Sequence, residues 1–302
     1  MSVPSSPPLL SSSTVISRLR EAGCVFAEDE ARLILSTART PAETAAMVER
    51  RAAGVPLEHV LGWAEFCGLR VAVEPGVFVP RRRTEFLVAE AVALLREARP
   101  VPRRAVVVDL CCGSGAVTAA LRAAVEAAVA EAAAVEAAMG PGPVEWHAAD
   151  IEPAAVRCAR RNLGSGAAVY EGDLYDPLPA RLRGRVDVLV ANAPYVPTDA
   201  FGLLPAEARL HEPRVALDGG ADGLDVQRRV TADAVSWLAP GGRLLVETSE
   251  RQAAGTVASF RRDGLSTRVA RCADLSATVV IGSRPDARSG RVRGIRPLRG
   301  AE

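Results

Sequence analysis

Val186-Asp187-Val188-Leu189-Val190-Ala191-Asn192-Ala193-Pro194-Tyr195 is the stretch from which the fold can be read. Its first six residues form an apolar run of buried-strand length, interrupted only by Asp187. The run then stops at Asn-x-Pro, because proline cannot continue a central strand and holds Ala193 in an extended backbone. A strand ending in a polar, rigid turn is the signature of the carboxyl edge of an open α/β sheet, where such sheets bind their ligands.

The same alternation recurs on both sides. Strand candidates at 105–110, 144–149, 167–171 and 242–247 are separated by helical patterns centred near 125, 157, 230 and 255. Alternation of this kind predicts a parallel sheet covered on both faces. Near the end, 265–271 and 277–283 are two β-like runs parted by a short polar turn, so an antiparallel hairpin is expected to close the sheet. Upstream, Thr14 to about Leu61 reads as helical: Val15, Leu19 and Ala22 share a face, Ala31, Leu33, Ile34 and Leu35 follow an acidic start, and Pro41 opens a further segment ending near Gly54. Residues 65–79 switch to period two, with Leu69, Val71 and Val73 alternating, Glu74-Pro75-Gly76 as the turn and Val77-Phe78-Val79 resuming the apolar run.

These patterns predict a small helical domain at 14–64, a β-hairpin linker at 65–80 and a main α/β domain at 81–284. The Pro/Ser-rich residues 1–13 and the basic residues 285–302 carry too few core-forming side chains and are expected to be disordered. The tail run of Arg284, Arg288, Arg291, Arg293, Arg296 and Arg299 reads as solubilising, or as a weak nonspecific contact for phosphate. The Ala-rich stretch 119–139 is longer than the usual helix of such a unit and reads as an extended helix and loop at the domain edge.

Composition narrows the function classes. The chain has 302 residues, 49% of them hydrophobic, and a formal net charge of +1, which supplies no whole-chain attraction to nucleic acid or membrane. Cysteines 24, 67, 111, 112, 158 and 272 show no CxxC pair and only three histidines accompany them, so neither a metal site nor a disulfide framework is indicated and a cytoplasmic location is expected. No apolar run is long enough to span a bilayer.

Four strand ends carry the chemistry. The strand ending at Asp109 runs into Cys111-Cys112-Gly113-Ser114-Gly115 and an Ala-rich helix, so backbone amides at a helix N-terminus face whatever binds there. Position 118 is Thr, where a nicotinamide fingerprint requires a third glycine. The next strand ends in Asp150, whose carboxylate can accept both hydroxyls of a ribose. After the third strand, Gly172-Asp173-Leu174 puts a further acid on the same edge, which reads equally as an adenine contact or a turn residue. At the fourth end, the Asn192 oxygen, the Ala193 carbonyl, Pro194 and the Tyr195 ring form a slot able to accept both hydrogens of a planar amino group. Such a slot suits methyl transfer to an amide or an exocyclic amine.

With these residues in place, the chain resembles the S-adenosylmethionine-dependent methyltransferases that modify a protein glutamine, the release-factor glutamine methyltransferases. The resemblance rests on Gly54 to Gly62, Phe66, Pro80-Arg81-Arg82-Arg83-Thr84-Glu85, Asp109 to Gly115, Asp150, Asn192 to Tyr195, Glu212-Pro213, Ala216 to Leu224, Gly241-Gly242 and Glu247 to Gln252. It implies a Rossmann-like, doubly wound, seven-stranded sheet with S-adenosyl-L-methionine held by Asp109, Cys111, Gly113, Ser114, Gly115, Asp150, Asp173, Leu174 and Asn192. It further implies that Arg81, Thr84 and Glu85 lie on the substrate side, and that Asn192, Ala193, Pro194 and Tyr195 hold the glutamine of a protein partner such as a peptide chain release factor.

The chain departs from that pattern at three places, one of them the family's glycine after the last strand's glutamate, missing in Glu247-Thr248-Ser249. Ala193 stands where the family has proline, at a cost in rigidity of about 0.4–1 kcal/mol. Cys111 replaces the first glycine of the donor loop and crowds a close backbone approach. Two other classes fit parts of the sequence: a nucleic-acid adenine methyltransferase, whose exocyclic amine suits the slot, and a donor-binding protein without turnover.

Overall fold

The computed structural model describes residues 10–97, 104–134 and 144–286. Four helices come first: α1 (Ser12–Glu21), α2 (Ala27–Thr37), α3 (Pro41–Ala52) and α4 (Leu57–Leu61). The first begins inside the stretch expected to be disordered, because the Ser11 side chain accepts the Thr14 N–H and caps it. Residues 1–9 lie outside the described residues. At α3, Thr40 accepts the Glu43 N–H at 3.1 Å and the Glu43 carboxylate reaches back to the Arg39 N–H at 2.8 Å, a variant of the capping box with Pro41 in the first turn. Val15, Leu19, Ala27, Ala31, Ile34, Met47, Val48 and Leu61 make this unit's own core.

The hairpin that follows sits earlier than its sequence pattern suggested. Strands β1 (Trp63–Phe66) and β2 (Leu69–Ala72) pair antiparallel across Cys67-Gly68, and Glu74-Pro75-Gly76 is a later turn. Both turn residues have positive φ, 49° and 73°, the left-handed pair that matches strand twist. Val77 and Val79 are not in a strand; with Ala64 and Val73 they pack on Ala155 and Cys158. Asn162 completes the edge of β2, exchanging bonds of 2.9 Å with both the N–H and the carbonyl of Ala72, and its Nδ2 also donates to the Ser114 carbonyl at 2.8 Å.

Helix α5 (Glu85–Glu97) was not read from the sequence, although Leu87, Val88, Ala91 and Leu95 recur at helical spacing and are buried. The sheet then follows in chain order as β3 (Ala105–Leu110), α6 (Ala116–Ala134), β4 (Val144–Asp150), α7 (Pro153–Leu163), β5 (Ala168–Glu171), β6 (Val186–Ala191), α8 (Ala206–His211), α9 (Asp225–Trp237), β7 (Leu238–Thr248), α10 (Ala253–Arg262), β8 (Ser266–Cys272) and β9 (Ala277–Ser283). Helix α6 covers 119–134 of the Ala-rich stretch, and 135–139 lie outside the described residues.

The seven strands lie in the order β5-β4-β3-β6-β7-β9-β8, parallel as far as β7 and antiparallel beyond it. Alternation divides the core. Val106, Val108 and Leu110 face Val230, Trp237 and Phe260 of α9 and α10, whereas Val107, Val188 and Val190 face Leu87, Ala91 and Leu121 of α5 and α6. Chain order reverses between β3 and β6, whose last residues Leu110 and Ala191 are register partners. Arg284, counted with the basic tail, is anchored by its guanidinium to the Leu238 carbonyl; residues 287–302 lie outside the described residues. No helix among the described residues is long and apolar enough to cross a membrane.

A buried ion pair braces the helical unit. Arg51 of α3 bonds both Glu30 carboxylate oxygens of α2 at 2.6 and 3.1 Å, and reaches Glu207 of α8 at 2.6 Å. Removing one partner leaves the other charge buried and uncompensated. Arg51→Ala is therefore expected to lower stability in urea unfolding by about 3–5 kcal/mol, and Glu207→Ala by much less, because that carboxylate is 45% exposed.

Candidate active site

The loop after β3 begins with Cys111 at φ 56°, Gly113 at 55° and Gly115 at 77°. The Cys112 N–H donates to the Ala149 carbonyl at 3.1 Å and so ties the loop to the end of β4. The Gly113 N–H donates to one Asp150 oxygen at 2.8 Å, and the Glu152 N–H to the other at 2.9 Å. A side chain at Gly113 would meet nothing within 4 Å, so its open side faces a cavity. At Gly115 a Cβ would stand 3.1–3.2 Å from Leu163 and Ala159, so this glycine is what lets the start of α6 lie against α7.

Close helix packing therefore does not need a glycine at 118. Thr118 instead donates its hydroxyl to Asp109 at 2.8 Å. Burial pushes the Asp109 carboxyl up to about 7, and the Thr118 bond only partly offsets this. Cys111, expected to crowd the loop, packs its side chain against the core on the α9 face and also lines the cavity. Burial, with Asp150 and Asp109 nearby, pushes its thiol pKa well up and keeps it protonated. Asp173 and Leu174 complete this wall, Asp173 paired with Arg229 of α9 at 2.6 Å. The Ser114 hydroxyl is buried in the same wall with no partner among the described residues.

A second cavity opens on the other side of Asn192. Phe78, Asn192, Pro194 and Ala216 line both, so the end of β6 stands at their junction. The Asn192 Nδ2 donates to the Thr84 hydroxyl at 3.3 Å. The Tyr195 hydroxyl donates to Glu247 at 3.4 Å and is pushed up to about 12 by burial and by that carboxylate. Arg83 lies 3.6 Å from Glu247 and over the Tyr195 ring, its carbon 5.8 Å from the ring centre. Arg81 pairs with the buried Glu212 and lies 4.9 Å over Phe78. Burial raises the Glu212 pKa while Arg81 opposes it.

Of the substrate-side residues read from the sequence, Arg81 and Thr84 line these cavities and Glu85 does not: it turns away to accept the Cys67 N–H at 3.0 Å. Arg81 pairs with Glu212, not with Glu85. Arg82 and Arg83 are both exposed, and Arg83 also lines the second cavity. Phe78, Val226 and Arg229 were missed, and Phe66 was quoted for the resemblance without a site role, because nothing in an apolar or basic residue marks it as lining a cavity rather than a core. Glu247 left a signal, an acid at the end of the apolar run Leu244-Leu245-Val246.

A second loop holds the slot in shape. Val196 and Leu217 to Gly219 exchange backbone bonds, the Val196 N–H to the Leu217 carbonyl at 3.0 Å and the Gly219 N–H to the Val196 carbonyl at 2.9 Å. Gln252 donates to the carbonyls of Tyr195 and Asp222 at 2.8 and 3.0 Å. The contact leaves no room: a Cβ at Gly219 would be 2.7 Å from the Pro194 carbonyl oxygen and 2.8 Å from the Tyr195 Cα, and one at Gly223 2.3 Å from the Tyr195 carbonyl oxygen.

The chain is 39% identical to the release factor glutamine methyltransferase of Geobacter sulfurreducens, over 74% of this chain and 72% of that one. It is also 39% identical to the protein of that name from Mycolicibacterium smegmatis, over 82% of each chain. A 4-amino-L-phenylalanine/4-methylamino-L-phenylalanine methyltransferase of Streptomyces pristinaespiralis is 37% identical, over 72% of this chain and 69% of that one. Among solved structures, the E. cuniculi complex that methylates the eRF1 translation termination factor has a TM-score of 0.44 and 22% identity, covering 70% of this chain and 99% of that one. No protein-family model matches the chain.

Gly219→Ala tests the support of the slot. The added methyl must push the Pro194–Tyr195 backbone aside, and displacements of about 1 Å at a reacting group cost on the order of 100-fold in rate. Turnover is expected to fall by about that factor, with the chain still folded by circular dichroism.

Proposed function

This chain belongs to the release factor glutamine methyltransferases, and on that premise we propose that it transfers a methyl group from S-adenosyl-L-methionine to the side-chain amide nitrogen of a glutamine in a peptide chain release factor. The observation that carries the reading is Asn192 at the junction of the two cavities, its Nδ2 turned to Thr84 and its oxygen left to accept.

An amide nitrogen is a poor nucleophile because its lone pair is delocalised into the carbonyl. The Asn192 oxygen and the Ala193 carbonyl accept its two hydrogens, which raises electron density on nitrogen and aims it at the donor cavity. When bound, S-adenosyl-L-methionine supplies a methyl on a positively charged sulfur, which keeps the C–S bonding electrons as the N–C bond forms. The nitrogen becomes acidic only as that bond forms, so its proton needs no strong base beforehand and passes to solvent. Alignment of the two reactants provides most of the acceleration. Pro194 keeps Ala193 extended, which preserves the carbonyl's direction in the absence of the family's proline.

The residues of the first cavity fit the donor. Asp150 keeps acceptor capacity for two ribose hydroxyls, Gly113 presents an open face, and the orphaned Ser114 hydroxyl is a buried polar atom in want of a partner. Asp173 and Leu174 line the same cavity and would hold the adenine, and Asp109 would provide negative charge for a cationic donor.

The deciding experiment is incubation with methyl-labelled donor and a release factor, alongside its variant with the loop glutamine changed to alanine and, separately, 4-amino-L-phenylalanine. Label on the loop glutamine alone, located by mass spectrometry, is the expected outcome; label on the aromatic amine alone would overturn the reading. Donor binding should also depend on pH. Asp109 carries a proton below about 7 and is ionised above it, so affinity for the cationic donor is expected to rise with pH through that value. Calorimetry of Asp109→Asn should show weaker binding without the rise.

A further inference from the structure

We propose that Glu247 decides which end of the Asn192 amide faces the substrate, acting through Thr84; the proposal rests on the methyl-transfer reading of that slot. An Asn side chain has an accepting and a donating end of nearly equal shape, and only the accepting end can serve a substrate amino group. Something must hold the choice. Asn192 sits at the end of β6, Thr84 just before α5 and Glu247 near the end of β7, so three separate elements meet at this point.

The chain of bonds has one direction. Glu247 is buried, which raises its pKa, while Thr84, Arg83 at 3.6 Å and Tyr195 favour its ionised form. An ionised carboxylate can only accept, and the buried Glu247 Oε2 has no partner of good geometry among the described residues, so the group demands donors. The Tyr195 hydroxyl donates to the other oxygen, Oε1, at 3.4 Å, and the Thr84 hydroxyl beside the carboxylate is the further donor we assign to it. Once the Thr84 hydrogen is committed to Glu247, its oxygen can only accept, and it accepts from the Asn192 Nδ2 at 3.3 Å. The amide is thereby locked with its nitrogen toward Thr84 and its oxygen toward the slot. Glu247 also takes the hydroxyl of Tyr195, so one carboxylate orients both the acceptor and the aromatic wall.

Glutamine at 247 is nearly isosteric and breaks the logic. Its amide can donate to Thr84, freeing the Thr84 hydrogen for the Asn192 oxygen and turning the Asn192 NH2 into the slot, where it opposes the N–H groups of the substrate. Glu247 and Thr84 are thus positioning residues.

The test uses the full chain with S-adenosyl-L-methionine and a release factor. Glu247→Gln and Thr84→Val are each expected to lower kcat by about 10-fold or more, with donor affinity by calorimetry within about 2-fold of wild type and an unchanged melting temperature. Thr84→Ser, which keeps the hydroxyl, should stay near wild type. The double variant Glu247→Gln/Thr84→Val should be no slower than the worse single change. Full activity of Glu247→Gln, multiplying losses in the double variant, or equal damage from Thr84→Ser and Thr84→Val would overturn the proposal. A substrate-free readout separates it from the functional reading: NMR contacts between the Asn192 side-chain NH2 and the Thr84 methyl, present in wild type and absent in Glu247→Gln. If wild type methylates no release factor but shows those contacts, the substrate assignment fails and the orientation lock stands; if the contacts are absent in wild type, the lock fails.

Discussion

Everything at the site depends on the adjacency of β3 and β6. Parallel strands need crossovers, and at the point where the chain order of the sheet reverses, successive crossovers leave in opposite directions and open a crevice. Leu110 and Ala191 are register partners at that point. The Cys111–Gly115 turn and the Asn192–Tyr195 turn, 81 residues apart between Cys111 and Asn192, therefore emerge side by side at one edge. Backbone hydrogen bonding sets this spacing to strand width, about 4.8 Å, before any side chain contributes.

The second constraint is electrostatic. Asp109, Asp150, Glu212 and Glu247 are buried or nearly so around the two cavities, and each is raised in pKa by loss of solvent. Isolated carboxylates would not tolerate this. Each has specific compensation: Thr118 for Asp109, the backbone N–H groups of Gly113 and Glu152 for Asp150, Arg81 for Glu212, and Thr84, Arg83 and Tyr195 for Glu247. Compensation remains incomplete at Glu212 and Glu247, each of which keeps one unpartnered buried oxygen. The same pairs that make the charges tolerable fix the side chains that line the cavities, so rigidity of the site and the cost of burying charge have one origin.

Much of the lining of the first cavity was legible because strand ends carry unusual residues: Asp109 and Asp150 end apolar runs, Gly113 and Gly115 follow the first of them, and Asn192 stands two residues before a proline. The remaining wall, from Phe66, Phe78, Val226 and Arg229, left no such trace, because ordinary residues acquire that role only through what packs beside them. Glu85 shows the converse. Its motif is intact, yet α5 begins there and carries its carboxylate to the hairpin turn at Cys67. The Arg82–Arg83 pair was indivisible by composition; both side chains are exposed, and Arg83 reaches to 3.6 Å from Glu247.

By itself the sequence determined the alternation of strand and helix, the closing antiparallel hairpin and the polar residues at each strand end, because these follow from local periodicity and backbone chemistry. It misplaced the linker turn and passed over α5, since the left-handed pair at Cys67-Gly68 includes a residue that does not advertise that conformation, and α5 is apolar enough to be read as filler. Only the tertiary structure decided that Gly219 and Gly223 lie against the Pro194–Tyr195 backbone and that Glu247, Thr84 and Asn192 meet. Those contacts join segments far apart in the chain, and no local pattern encodes them: their geometry exists only once the sheet has set strand ends next to one another.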